Sequence, residues 1–192
     1  MFSSITPEIV SKIFPATPVG NISANLPDIL EALAEKQCDR LMVIMALATI
    51  RAEAESFTPL SEFPSKYNTP PGGAPFSLYD HRSDLGNQGP PDGERFRGRG
   101  YVQLTGRANY SKFGPVVGVD LIAHPESASD PKVAAKLLTA FLVAKNDQIH
   151  QAVARKDLAS ARRLVNGGTN GLDRFTDAFH RAESIFPVDL GE

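Results

Sequence analysis

The run Leu41-Met42-Val43-Ile44-Met45-Ala46-Leu47-Ala48-Thr49-Ile50 decides the fold. It carries no charge and a single hydroxyl. At ten residues it is about half the ~20 needed to cross a bilayer. A helix from about Asp39 to about Glu55 is expected, and because it is apolar nearly all round it must be buried on most sides. That makes it the central helix of the fold.

Working outward, Thr6-Pro7-Glu8 reads as an N-cap, a proline in the first turn and an acid at the positive helix end, with Ile9, Val10, Ile13 and Phe14 following at helical spacing. A second helix is expected from about Pro27 to Lys36. On the C-terminal side, Asp130 should cap a helix over Pro131 to Asn146. Short helices near Gln148–Arg155 and Leu158–Val165 come next. The last is expected over Leu172 to Phe186, with Phe175, Ala178, Phe179, Ala182 and Phe186 as its buried stripe. Between Pro64 and Gly93, eleven of thirty residues are Pro or Gly, too many for a long helix or a central strand. Tyr67, Phe76 and Tyr79 within it favour an ordered irregular segment. No repeat and no useful β-alternation is visible. The fold class read from these signals is mainly α, one domain over residues 1–192 with a Pro/Gly-rich irregular insertion at 64–93.

The chain has 192 residues, 42% hydrophobic and 22% charged, so wholesale disorder is excluded. Cys38 is the single cysteine, and His81, His124, His150 and His180 lie too scattered for a metal site. No metal and no cofactor is expected. A net charge of −2 excludes a strongly basic nucleic-acid binder, and the lone Arg97-Gly98-Arg99-Gly100 unit leads at once into an aliphatic, packed-looking segment. The first twenty residues carry Glu8 and Lys12 and lack an apolar core, so the expectation is a soluble monomer made in the cytoplasm without a signal peptide and with no integral membrane segment.

Three places could carry chemistry. Glu53 ends the central helix, where the negative end of the helix dipole disfavours a charged carboxylate, as a general acid requires. By position alone, an exposed helical glutamate paired with Arg51 is the commoner reading. Glu62 lies nine residues on, and Pro59 forces a turn between them, so Glu62 can fold back toward Glu53 from a loop. Two carboxylates about 6.5–9.5 Å apart with a water between them are the machinery of an inverting glycosidase; a solvated loop carboxylate explains Glu62 equally well. The strongest signal is the block from Asp92 to Tyr110. There Gly98 and Gly100 permit unusual backbone or close approach, and Gln103, Thr105 and Asn109 supply groups suited to sugar hydroxyls and N-acetyl groups. From Arg95 to Lys112 there are five cations and no anion, suiting a polyanionic surface such as a cell wall. A further block, Arg162-Arg163-Leu164-Val165-Asn166-Gly167-Gly168-Thr169-Asn170-Gly171, reads as a helix end with a glycine stop, and Asn166 is the member that turn chemistry leaves unexplained.

Four blocks in order, Ala48 to Glu62, Tyr79 to Asn87, Asp92 to Tyr110 and Arg162 to Arg174, resemble glycoside hydrolase family 19, and within it the short bacterial and phage endolysins and chitinase-like lysozymes. The resemblance implies a lysozyme-like, two-lobed helical domain that hydrolyses β-1,4 bonds of peptidoglycan or chitin with inversion and without a cofactor. It implies Glu53 as general acid, Glu62 as general base and Thr105 as a hydroxyl holding the attacking water. Gln103, Asn109, Tyr110 and Asn166 then match sugar-binding positions, and Arg174 a residue supporting the acid through a charge network.

Two departures stand out. Many members have His-Glu-Ser-Gly-Gly-Phe around the acid, where this chain has Ala52-Glu53-Ala54-Glu55-Ser56-Phe57. Glu55 could therefore be the working residue, or the site could be impaired. The chain also lacks the cysteines of plant chitinases. The function expected is a peptidoglycan hydrolase that acts on the cell wall after release. A chitinase on the same scaffold and a non-catalytic glycan binder are the alternatives.

Overall fold

The central helix starts where expected, and the structure adds its cap: Asp39 Oδ1 accepts the Met42 amide at 2.9 Å. The computed structural model describes residues 2–190. Nine α-helices appear among them: α1 (Pro7–Ser11), α2 (Val19–Glu35), α3 (Arg40–Glu53), α4 (Asp92–Arg95), α5 (Arg107–Val117), α6 (Pro131–Val143), α7 (Asn146–Ala154), α8 (Leu158–Asn166) and α9 (Leu172–Ile185). Two short strands, β1 (Leu60–Ser61) and β2 (Arg99–Gly100), and three 3-10 turns, Ser77–Tyr79, Ser83–Leu85 and Pro125–Ser129, complete the regular structure among the described residues, so the molecule is mainly α as expected. By its contacts the chain divides into two compact units, Met1–Thr58 with Leu138–Glu192, and Pro59–Leu137.

In the first unit every residue from Met42 to Ile50 is at most 1% exposed, which is what an uncharged, all-round apolar helix demands. α3 packs along α9, whose stripe Phe175, Ala178, Phe179 and Ala182 is buried. At the other end of the core Phe14 meets Phe57 edge-to-face, with ring centroids 4.8 Å apart. Cys38 is a buried filler here, and burial pushes its thiol up to about 11.

α2 departs from expectation. It begins at Val19 and runs straight through Pro27 rather than starting there. Pro27 and Ser23 are both exposed, so water can take the Ser23 carbonyl that proline leaves unbonded, and the buried stripe Ile22, Leu26, Ile29 and Leu33 holds the helix together across it.

The second unit is irregular but pinned. β1 and β2 pair antiparallel, Leu60 opposite Gly100 and Ser61 opposite Arg99. The Pro/Gly-rich segment is ordered by buried polar side chains rather than by regular structure. Asp80 accepts the Gly93 amide at 2.8 Å, and Asp92 takes the Arg107 guanidinium on both oxygens at 2.6 and 2.7 Å. Asn68, Asp80, Asn87 and Asp92 are all buried and hydrogen-bonded, as polar side chains that would be costly to bury alone must be. α5 went unread in the sequence because Gly114 and Pro115 interrupt its pattern. α6 opens as foreseen, Asp130 accepting the Lys132 and Val133 amides at 3.0 and 3.2 Å.

Candidate active site

Glu53 is the last residue of α3, and its side chain is 17% exposed. It does not pair with Arg51. Its Oε1 accepts from Nη2 of Arg162, an α8 residue whose side chain has no exposed surface. The same guanidinium donates to the Asn170 carbonyl from Nε at 3.3 Å and from Nη2 at 3.0 Å, and lies 5.7 Å from the centre of the Phe175 ring. Its Nη1 is buried without a hydrogen-bond partner among the described residues. Two opposed electrostatic influences therefore meet at Glu53, the negative end of α3 and a dry guanidinium.

Arg162 escaped the sequence reading as a site residue, yet a signal for it existed. Leu158, Ala161, Arg162 and Val165 fall at i, i+3, i+4 and i+7, so Arg162 stands within the apolar stripe of α8, where an arginine must find an anion.

The Asn-Gly-Gly-Thr-Asn-Gly turn serves this arrangement directly. Gly171, at φ +69°, caps α9, and a Cβ there would lie 3.3 Å from the Ala52 carbonyl and 3.5 Å from Arg174 Nη2. The turn thus passes tightly against the end of α3 and delivers the Asn170 carbonyl to Arg162. Asn166, half-buried at the end of α8, lies one turn from Arg162 on the same helix face.

Arg174 is placed differently from its expected role. It pairs with Glu55 Oε2 at 3.3 Å, while Arg51 pairs with Glu55 Oε1. The expected charge network exists, but it converges on Glu55, both of whose oxygens are taken.

In the second unit Glu62 follows β1 directly and is half-buried. Its amide donates to the Gly98 carbonyl at 2.8 Å, extending the β1–β2 pairing by one residue. Its carboxylate takes three donors: Asn68 Nδ2 and Tyr79 Oη on Oε1, both at 2.9 Å, and the Gly98 amide on Oε2 at 3.0 Å. Burial pushes the Tyr79 phenol up to about 12, aided by its hydrogen bond to Glu62 and by that carboxylate's charge.

Gly98 explains itself by space rather than by conformation, because its φ is not positive. A Cβ there would lie 2.8 Å from Gln103 Oε1, 3.2 Å from Glu62 Oε2 and 3.2 Å from Thr105 Oγ1. Three oxygens thus converge over one bare Cα. Gln103 sits at φ +50°, unusual for a side-chain-bearing residue, and its Nε2 braces the two strands by donating to the Gly100 and Leu60 carbonyls at 3.1 and 3.3 Å. Thr105 Oγ1 donates to the Gln103 carbonyl at 2.8 Å, and Asn109 Nδ2 donates to the Thr105 carbonyl at 2.8 Å. Thr105 and Asn109 are half-buried.

Tyr110 is a correction. It was expected among sugar-binding residues, but it is 0% exposed. Its hydroxyl donates to the Arg97 carbonyl at 2.7 Å and accepts from Arg99 Nη1 at 2.9 Å. Burial pushes this phenol up to about 12 against the pull of Arg99. The basic run around it is also less free than its composition suggested. Arg99 is 4% exposed, Arg107 is paired with Asp92, and Arg95 and Arg97 donate to the carbonyls of Ile122 and Glu94. Four of the five cations are tied down by the fold's own acceptors.

Among the described residues, no group of three or more His, Cys, Asp or Glu could hold a metal ion, and no helix is long and apolar enough to cross a membrane.

No family model matches the chain. A glycosyl hydrolase family 19 domain-containing protein of Haemophilus influenzae is 30% identical to it over 108 residues, 56% of this chain and 51% of the relative. The chain thus spans about half the length of that curated relative. Among solved structures, chitinase C from Streptomyces griseus HUT6037 matches with a TM-score of 0.63 at 21% identity, over 94% of this chain and 76% of the other. A mutant of chitinase C matches with a TM-score of 0.61 at 21% identity, over 93% and 76%. The chain therefore has the fold of chitinase C.

Proposed function

We propose that this chain is a glycoside hydrolase of the family 19 type, cleaving β-1,4 bonds in the backbone of peptidoglycan by inversion. The observation that most supports it is the recess over Gly98, where Glu62 Oε2, Gln103 Oε1 and Thr105 Oγ1 converge. A carboxylate with its orientation set by three donors, beside two further oxygen acceptors, is suited to holding a water and taking its proton. The partial identity to a family 19 domain protein agrees with this assignment.

In the proposed reaction Glu53 protonates the glycosidic oxygen as the bond to the anomeric carbon breaks. Glu62 accepts a proton from the water that attacks that carbon from the opposite face. Exchange with solvent then returns the proton to Glu53 and removes it from Glu62. With Arg162 on Oε1 of Glu53, Oε2 is the oxygen left to carry the donated proton. Glu55 is a poor proton donor by comparison, since Arg51 and Arg174 occupy both of its oxygens.

The second reading, a chitinase, is favoured by the name of the solved relatives that share the fold. Both polymers present β-1,4-linked N-acetylated sugars, so the same two carboxylates serve either.

Purified protein is to be incubated with peptidoglycan sacculi and, in parallel, with chitin oligomers. Mass analysis identifies the bond cut, and proton NMR identifies the anomer released first. Release of the α-anomer, abolished in Glu53→Gln and in Glu62→Gln, supports the proposal, and the preferred polymer decides between the two substrates. Tight glycan binding without new reducing ends at any pH from acid to neutral would overturn it.

A further inference from the structure

We infer that Asn68 and Tyr79 are positioning residues that fix which oxygen of Glu62 faces the water. This rests on the assignment of Glu62 as the proton-accepting carboxylate.

Asn68 is 0% exposed in a segment otherwise rich in Pro and Gly, and its amide group is fully used. Nδ2 donates to Glu62 Oε1 at 2.9 Å and to the Phe63 carbonyl at 3.0 Å. Oδ1 accepts from the Ser65 amide at 2.7 Å and from Thr69 Oγ1 at 2.8 Å. One side chain therefore closes the turn that follows Glu62 and grips the Glu62 carboxylate as well.

Tyr79 adds the second donor to the same oxygen, at 2.9 Å. Its backbone is anchored in turn. Asn87 Nδ2 donates to the Tyr79 carbonyl at 2.8 Å, while Asn87 Oδ1 accepts the Arg107 amide at the start of α5 at 2.9 Å.

The consequence is an asymmetry within one carboxylate. Among the described residues Oε1 is occupied by two side-chain donors, whereas Oε2 takes the Gly98 amide alone and lies at the recess beside Gln103 and Thr105. Without the clamp on Oε1, the carboxylate can rotate and Oε2 loses its fixed aim. A displacement of about 1 Å at a reacting group can cost about 100-fold in rate.

The test uses the full chain with Tyr79→Phe, Asn68→Asp and Glu62→Gln. Tyr79→Phe removes one donor with little change in shape. Asn68→Asp keeps the shape but places an acceptor against Oε1. The expected result is a kcat lower by about 10- to 100-fold in each, with KM within about twofold and an unchanged circular dichroism spectrum. Separately, tyrosines carrying 13C at Cζ report the Tyr79 phenol by NMR. Its titration near 12 should move down in Glu62→Gln as the carboxylate's charge is lost, while burial, its largest upward influence, keeps it above the ordinary value of about 10. Wild-type kcat in both Tyr79→Phe and Asn68→Asp, with Glu62→Gln inactive, would overturn the positioning role alone. A fully active Glu62→Gln would instead remove the assignment of Glu62, and an unmoved Tyr79 titration would remove the contact.

Discussion

The guanidinium of Arg162, with no exposed surface, is ion-paired to the carboxylate of Glu53, which is 17% exposed. The two residues are 109 positions apart, and the pair ties the end of α3 to α8. Removing one partner of a buried pair leaves an uncompensated charge, at a cost of about 3–5 kcal/mol. Arg162→Ala should lower the urea midpoint accordingly and abolish glycan cleavage. Glu53→Gln should also destabilise, because it leaves the fully buried Arg162 guanidinium without a counter-charge even though the amide oxygen still accepts from it. Urea midpoints unchanged in both variants would show that the pair does not hold the helices together.

Gly98→Ala separates space from conformation. Gly98 has no positive φ, so alanine brings no backbone strain, but its methyl would crowd Gln103 Oε1, Glu62 Oε2 and Thr105 Oγ1. The expected outcome is a kcat reduced by about 100-fold or more while the melting temperature falls only slightly. Steady-state rates on a soluble oligosaccharide, with calorimetry in parallel, check it. Unimpaired turnover would mean that the recess is not where water sits.

Asp92 and Arg107 should make the second unit sensitive to acid. The Arg107 guanidinium, bonded to both oxygens of a nearly inaccessible carboxylate, holds Asp92 below its ordinary range. A depressed folded-state value means the stabilisation is fully present above the unfolded value, about 3.9, and is lost as pH falls through the folded one. Asp92→Ala should cost about 3 kcal/mol at neutral pH, with the difference from wild type shrinking below pH ~4. Urea melts at neutral pH and at pH ~3 measure this directly. A constant difference across that range would exclude the linkage.

Tyr110→Phe tests its place in the core. The hydroxyl accepts from buried Arg99 and donates to the Arg97 carbonyl, so its loss removes two buried hydrogen bonds, while Arg99 Nη1 keeps the Arg95 carbonyl at 2.8 Å. The expected cost is about 1–3 kcal/mol in stability, with KM for glycan unchanged. A raised KM at undiminished stability would return Tyr110 to the substrate.

Much of the fold was readable because single segments carry it. The Met42–Ile50 stretch of α3 is buried since it has no polar face to expose, α9 shows a clear apolar stripe, and Thr6 and Asp130 cap the helices they precede. Where local rules conflict with burial the reading failed. Proline argued for a start at Pro27, but the apolar stripe extends N-terminal to it and packing prevailed. Gly114 and Pro115 hid α5 in the same way.

The amino-acid order by itself determined the mainly α class, the buried central helix with a glutamate at its end, and the cluster of Gly98, Gln103 and Thr105, because each depends on residues near one another along the chain. Only the tertiary structure decided the partners: Arg162 for Glu53, Arg51 and Arg174 for Glu55, and Asn68, Tyr79 and Gly98 for Glu62. The physical reason is that a side chain's charge or hydrogen-bonding capacity is written in its identity, whereas the group that satisfies it is selected by how distant segments pack.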